Sequence, residues 1–365
     1  MLTLLTFLMS AALIASADRS LSLTLTTPQH AITDVDNLHV VATVSNTGSE
    51  TLRLLRDPRS PLSQYPTETF GVVNSKGARA AFSGVKVRYS PQAVAKAGRA
   101  ESFVELKPGQ SVSVEHDLAG VYNLTSTGVG AYTLDAANLF RAVSANGTLT
   151  DVYAALEPTK VDIKGKLVSL KNAAVPRNKV LSKRTSYTGC SSTQQSQTAS
   201  AISTGQGYAS SSYSHLTSNP SGSTRYTRWF GTFATNRYNL VLNSFSQLRT
   251  YPGGWTYNCN TWYVVSSIRL FQRRLTLSSS DPDIYAYVYP SVYGTVYLCG
   301  YFWNAPATGA GSRADTIIHE GSHFTQVLGT DDHAYGQDSC LSLAKSNPTN
   351  AVYNADNHAF FSVNA

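Results

Sequence analysis

The chain has 365 residues, 14% of them charged, with a formal net charge of +7 at pH 7. That length is enough for two domains of ordinary size. Residues 1–184 hold 20 basic and 14 acidic side chains and residues 185–365 hold 9 and 8, so the excess basicity belongs mostly to the first half. With no basic stripe on a helix and no recognised binding motif, a nucleic-acid footprint is excluded.

The chain opens on an apolar run through Ile14, followed by Ala15-Ser16-Ala17 and Asp18. This reads as a secretory signal over 1–17 with an A-x-A cleavage site, although its n-region has no Lys or Arg. The run is too short to span a membrane and no other candidate exists, which argues against a membrane partner. Two N-glycosylation sequons, Asn123-Leu124-Thr125 and Asn146-Gly147-Thr148, agree with a secreted, extracellular protein. Residues 20–160 read as short alternating strands divided by turns, such as 38–44 before Asn46-Thr47-Gly48 and 111–114 after Pro108-Gly109. This pattern predicts an all-β sandwich. A Lys-rich linker then leads to the dibasic pair Lys183-Arg184, where a kexin-like protease would cut. Residues 18–184 therefore read as a β-rich propeptide, with a carbohydrate- or protein-binding module as the other reading.

Beyond residue 185 the composition turns to Ser, Thr and Tyr. Helices are expected over 193–216 and 224–248, β-runs over 284–289 and 294–299, and a helix over 312–328. All four cysteines lie in this part, at 190, 259, 299 and 340. In an oxidising compartment they should pair.

The last of those helices carries His319-Glu320-Gly321-Ser322-His323. On a helix, positions i and i+4 share a face, so both imidazoles can reach one ion. The Glu between them can point at a water on that ion and serve as general base. Gly329 then allows the chain to fold back, and Thr330, Asp331, Asp332, His333, Ala334, Tyr335 and Gly336 follow.

H-E-x-x-H followed by G-T-x-D-x-x-Y-G resembles the aspzincin (deuterolysin-like) zinc metallopeptidases. Gly329, Thr330, Asp332, Tyr335 and Gly336 all fall in register. The resemblance implies one Zn2+ held by His319, His323 and Asp332, with Glu320 as catalytic base. Tyr335 would donate its phenol to the oxyanion. It also implies an α+β zincin-like catalytic domain over 185–365, with H-E-x-x-H on a helix, acting on protein or peptide substrates. Asp331 is expected to cap or face solvent, and His333 to be a loop side chain. Residues 18–184 contain no cysteine, so a thiol-to-zinc latch is excluded. The propeptide would have to inhibit through a carboxylate, a His or occlusion of the cleft.

The start Thr185-Ser186-Tyr187-Thr188-Gly189-Cys190 further resembles the mature start of the family's fungal peptidyl-Lys branch. Residues 185–365 contain one lysine, Lys345, against eight arginines, whereas the preceding 184 residues contain ten lysines. That asymmetry suits a protease that cuts at lysine and must survive itself. In the Lys-preferring branch the C-terminal motif N-A-D-N-H-E supplies an Asp and a Glu to the substrate ammonium. Here Asn354-Ala355-Asp356-Asn357-His358 matches, which implies Asp356 as the substrate-binding counter-charge, but the Glu position is Ala359. The branch also implies a Cys190–Cys259 disulfide and a second bridge from a cysteine just after Cys259 to Cys299. That cysteine is missing, and an extra stretch over 262–278 takes its place. The stretch reads as a retained intron, because Trp262-Tyr263-Val264 can encode a GTATGT donor and splicing to the end of the Ser278 codon restores a Cys codon. The alternative is a genuine surface loop with Cys299 paired to Cys340.

The expected protein is therefore a secreted zinc metalloendopeptidase that cleaves on the amino side of lysine and is made as a zymogen. The rival readings are a broad-specificity deuterolysin-type endopeptidase and a secreted β-sandwich binding protein whose zincin half is inactive.

Overall fold

The computed structural model describes residues 19–169, 184–260 and 281–363. The signal segment 1–17, Lys183 and the suspected insert 262–278 lie outside the described residues.

Residues 19–169 form two facing β-sheets. In Leu21–Thr26 the three leucines are buried and the Ser and Thr between them are not, the period-two pattern of a half-buried strand. His39–Asn46 repeats it with Val40, Ala42 and Val44 and pairs antiparallel, Leu23 opposite Val44. The larger sheet orders its strands Phe103–Leu106, Leu52–Leu55, Leu139–Val143, Leu149–Glu157, Leu21–Thr26, His39–Asn46 and Ser111–Asp117. The smaller orders Ala31–Asp34, Thr159–Lys166, Gly130–Ala136 and Phe70–Asn74. Side chains of both sheets, among them Leu23, Val44, Tyr132, Leu134, Phe140 and Ile163, share one core, which makes this a β-sandwich.

The C-terminal half is mixed helix and sheet. Its sheet runs Ser186–Thr188, Thr256–Asn258, Thr295–Leu298 and Ile284–Val288, and a fifth strand, Lys86–Tyr89, comes from the N-terminal half. The helix Ser192–Ser218 starts on a capping box between Ser191 and Gln194. Its buried face includes the small residues Ala201, Gly205, Ala209 and Ser212. That lets the histidine helix Arg313–His323 come close: a Cβ on Gly205 would stand 2.9 Å from the Ala314 carbonyl oxygen.

Two helices differ from expectation. The single helix over 224–248 is two, Thr224–Phe230 and Thr235–Leu248. Between them Gly231 adopts φ 75°, and a Cβ there would lie 2.2 Å from the Ala344 carbonyl oxygen, so only glycine fits and the chain must turn. The histidine helix stops at His323 rather than near 328. Phe324 leaves helical geometry (φ −61°, ψ 130°) and buries its ring edge-on against Trp255 and Tyr293, with centroids 5.0 and 5.4 Å away. Gly329 closes a separate turn after it. The Cys190–Cys259 disulfide forms, with Cα atoms 4.9 Å apart. Cys299 and Cys340 are buried free thiols, so the alternative bridge between them is absent.

Acid should loosen the sandwich. His116 Nε2 lies 3.0 Å from the Pro61 carbonyl, and burial holds the imidazole down at about 4. Unfolded, it would protonate from about 6.5. The folded state therefore loses stability as pH falls from 6.5 to 4, by about 3 kcal/mol from this residue. Thermal unfolding of the full chain carrying His116→Gln, compared with the parent at pH 7 and pH 4, should show a flatter acid limb.

Candidate metal centre and cleft

The histidine helix begins on a second capping box, between Ser312 and Asp315, and every residue from Ala314 to His323 is buried. Gly321, between the two histidines, is needed for packing: a Cβ there would meet Leu248 at 2.6 Å and the Trp255 ring at 2.7 Å. After Phe324 the chain turns back and is fastened to the helix. Thr330 N–H donates to the Ser322 carbonyl at 3.1 Å, and the Thr330 and Ser322 hydroxyls are 2.7 Å apart. This return carries Asp332 onto the histidine face.

Each imidazole is held from behind. His323 Nδ1 faces the Thr330 carbonyl at 2.7 Å, and His319 Nδ1 faces Asp356 Oδ1 at 2.8 Å. With both Nδ1 atoms donating, both Nε2 atoms keep a lone pair directed inward. The two Nε2 atoms are 3.2 Å apart, and Asp332 Oδ1 lies 3.3 Å from one and 3.4 Å from the other. Two imidazole nitrogens and one carboxylate oxygen thus converge on one point. Among the described residues these three are the group able to hold a metal ion. Two nitrogens and one carboxylate oxygen form the donor set of a catalytic zinc.

The electrostatics of this cluster demand positive charge. Burial disfavours the charged form of His319, yet its bonds to Asp332 and Asp356 raise it to about 9. Burial likewise opposes the Asp332 carboxylate, which His323 and His319 hold well below the usual carboxylate range. Glu320 moves the other way: burial, opposed by His319 and Arg88, lifts it to about 8. Both of its oxygens are buried without a hydrogen-bond partner. A carboxyl that titrates near neutrality can both take and return a proton.

Tyr335 is buried beside the cluster, its ring stacked at 25° on His319. Its phenol donates to the carbonyl of Val87, on the strand contributed by the N-terminal half. Val87 N–H donates to Asp332 Oδ2 at 3.2 Å. On either side, Lys86 Nζ reaches Asp331 at 2.6 Å and Arg88 Nη2 reaches Asp315 at 2.9 Å. The Arg59 guanidinium covers the Tyr335 ring at 4.1 Å and donates to the Asp332 and His333 carbonyls.

The structure brings His319, Glu320, His323, Asp332, Tyr335 and Asp356 together. Asp356 has a position not foreseen: its Oδ1 holds His319, and its Oδ2 accepts from Gly336 N–H at 2.9 Å. Asn354 and Asn357 of the same motif act as fasteners, Asn354 bonding both backbone groups of Ala334 and the Asn357 side chain. Asp331 pairs with Lys86 rather than with a helix end or solvent alone. Arg59, Lys86, Arg88 and Asp315 were not foreseen, since each acts on a partner more than 200 residues away in the chain.

Residues 215–363 match the family model described as lysine-specific metallo-endopeptidase, the aspzincins. A peptidyl-Lys metalloendopeptidase of Grifola frondosa is 41% identical over 359 residues, 98% of this chain and 96% of its own length. Another, of Pleurotus ostreatus, is 46% identical over 179 residues, 49% of this chain and 96% of that protein. A zinc peptidase of known structure from Grifola frondosa shares 40% identity over 48% of this chain and 97% of its own, with a TM-score of 0.42. Similarity at this level along almost the entire sequence, together with the H-E-x-x-H cluster and its third carboxylate, means that the chain belongs to the aspzincin family of zinc metalloendopeptidases.

Proposed function

We propose that the chain is a secreted zymogen: residues 185–365 hydrolyse peptide bonds on the amino side of lysine, and residues 18–184 keep the cleft closed until they are removed. The observation that carries this reading is the strand Lys86–Tyr89. It pairs antiparallel with Ile284–Val288, the strand that would otherwise be the sheet's edge, as an extended peptide substrate would by strand addition. Its Val87 carbonyl receives the Tyr335 phenol and its backbone passes Glu320, which is how a substrate backbone would meet these groups. Inhibition is then occlusion by a substrate-like strand.

His319, His323 and Asp332 would hold the zinc, which when bound supplies the Lewis acidity that polarises the scissile carbonyl and acidifies water. Glu320 takes the proton of the attacking water and returns it to the leaving amine, a role that suits a carboxyl raised toward neutrality. Tyr335 donates to the carbonyl oxygen as charge grows there. Asp356 fixes the His319 ring and its tautomer.

Lysine preference is supported by the names of the relatives and by the single lysine after residue 184. Processing after Arg184 is supported by the bonds that begin at once beyond it. Thr185 Oγ1 donates to the Gly253 carbonyl, Ser186–Thr188 joins the sheet, and Cys190 is bridged to Cys259. The disulfide also agrees with an oxidising, extracellular destination, and no described helix is long and apolar enough to cross a membrane.

Mass spectrometry of the secreted protein should find Thr185 at its amino terminus, and a peptide-library digest should show cuts before lysine; cuts spread over many residues would favour a broad-specificity endopeptidase. Glu320→Ala should keep zinc while losing about 10³-fold in kcat. Asp356→Asn should weaken zinc binding by about 10–100-fold in chelator competition, because the ligand ring loses its anionic partner.

A further inference from the structure

The substrate-like strand also carries a side chain into the pocket beyond the bond it presents. If Val87 supplies the carbonyl under Tyr335, Arg88 is the residue that follows the bond. Arg88 is 3% exposed, and its guanidinium lies 5.2 Å over the Tyr285 ring and donates from Nη2 to Asp315 Oδ2 at 2.9 Å. Its Nη1 has no partner. Asp356 adds a second negative charge facing the same guanidinium.

Asp315 is fully buried on the first turn of the histidine helix, four residues before His319. Its two oxygens are used differently. Oδ1 completes the helix cap, accepting from Ser312 N–H at 2.8 Å. Oδ2 accepts from Gly311 N–H at 2.8 Å and from Arg88. The cap needs only the first oxygen. The second belongs to a buried carboxylate whose charged form burial disfavours and the Arg88 guanidinium, 2.9 Å away, favours. Position 359, where the resembling motif carries a second acid, is Ala359, buried on the helix Ala355–Val363.

We propose that Asp315 is the specificity-determining carboxylate of this enzyme: it receives the ammonium of the residue after the scissile bond, supplying from the histidine helix the charge that Ala359 lacks, with Arg88 as its placeholder in the zymogen. The proposal rests on the lysine-directed reading of the cleft given above. Lysine reaches Asp315 with a flexible stem and a point charge. The longer, planar guanidinium fills the same pocket and fixes the strand.

The test uses the processed form of the secreted full chain and peptides that differ only in the residue after the bond: lysine, ornithine or norleucine. Asp315→Asn keeps an oxygen acceptor for the cap. It should lower kcat/KM for the lysine peptide by about 100-fold and leave the norleucine peptide within about 3-fold, with zinc content unchanged. Adding Ala359→Glu to this variant should restore part of the lysine preference. Should Asp315→Asn fail to fold, Asp315→Glu keeps both cap and charge on a longer arm and should move preference from lysine toward ornithine. If the parent prefers lysine and neither substitution at 315 changes the ratios, Asp315 is not the selecting group. If the parent itself cuts the norleucine peptide as well as the lysine peptide, the lysine reading fails and the proposal falls with it.

Discussion

Two imidazole nitrogens and a carboxylate oxygen converge on one point in this protein. The Nε2 atoms of His319 and His323 and one oxygen of Asp332 stand within 3.4 Å of each other, the histidines buried and the Asp332 side chain 8% exposed. Such an arrangement is repulsive unless a cation sits within it, so it must be enforced from outside. The enforcement is visible at every step. Asp356 and the Thr330 carbonyl fix the two rings, the Ser322–Thr330 contacts fasten the returning chain, and Asn354 locks the loop that bears Tyr335. The packing of Phe324 and the missing side chain at Gly321 set where the helix stops and how near it lies to Trp255. The C-terminal core is arranged around the need to hold these three groups where they would not otherwise stay.

The candidate metal-binding cluster was legible in the sequence because its members are local. Two histidines at i and i+4 imply one helix face, and the following G-T-x-D-x-x-Y-G segment is a short loop with one place to return to. The alternating strands of the sandwich were legible for a similar reason, since burial repeats every second residue in Leu21–Thr26 and His39–Asn46. Helix ends were not. The break at Gly231 depends on the Ala344 carbonyl, and the stop at His323 depends on Trp255 and Tyr293, none of which local periodicity records. Asp356 could be identified as important but not positioned, because its partner His319 is 37 residues earlier. The contacts of Arg59, Lys86 and Arg88 span more than 200 residues, and no spacing rule reaches that far.

The two halves meet through a shared apolar cluster, in which Val85, Val87 and Tyr89 pack with Ile284, Tyr287 and Tyr335, and through charge. Arg59, Lys86, Arg88 and Arg99 of the first half find the Asp332 carbonyl and the carboxylates of Asp331, Asp315 and Asp283 of the second, and Tyr65 donates to Asp281. The surplus of basic residues before position 184, which as a net charge suggested little, is partly a docking surface for an acidic cleft. Buried pairs of this kind contribute modest net stability but are costly to break singly. A joint built from them favours one register over its neighbours, which is what a strand laid across catalytic groups requires.

If the first half is removed as proposed, the loss of the strand Lys86–Tyr89 has a further consequence. Ile284–Val288 is buried along its whole length, with Thr295–Leu298 on one side and Lys86–Tyr89 on the other. Removing the cover leaves an open ladder of amide groups flanked by tyrosine and valine, the kind of edge on which chains polymerise. The backbone hydrogen bonds that would seize a substrate are the same ones that would seize another copy of the enzyme. In the full chain that edge is covered. Under the proposed processing, the first half would act as a guard against aggregation as much as against untimely proteolysis.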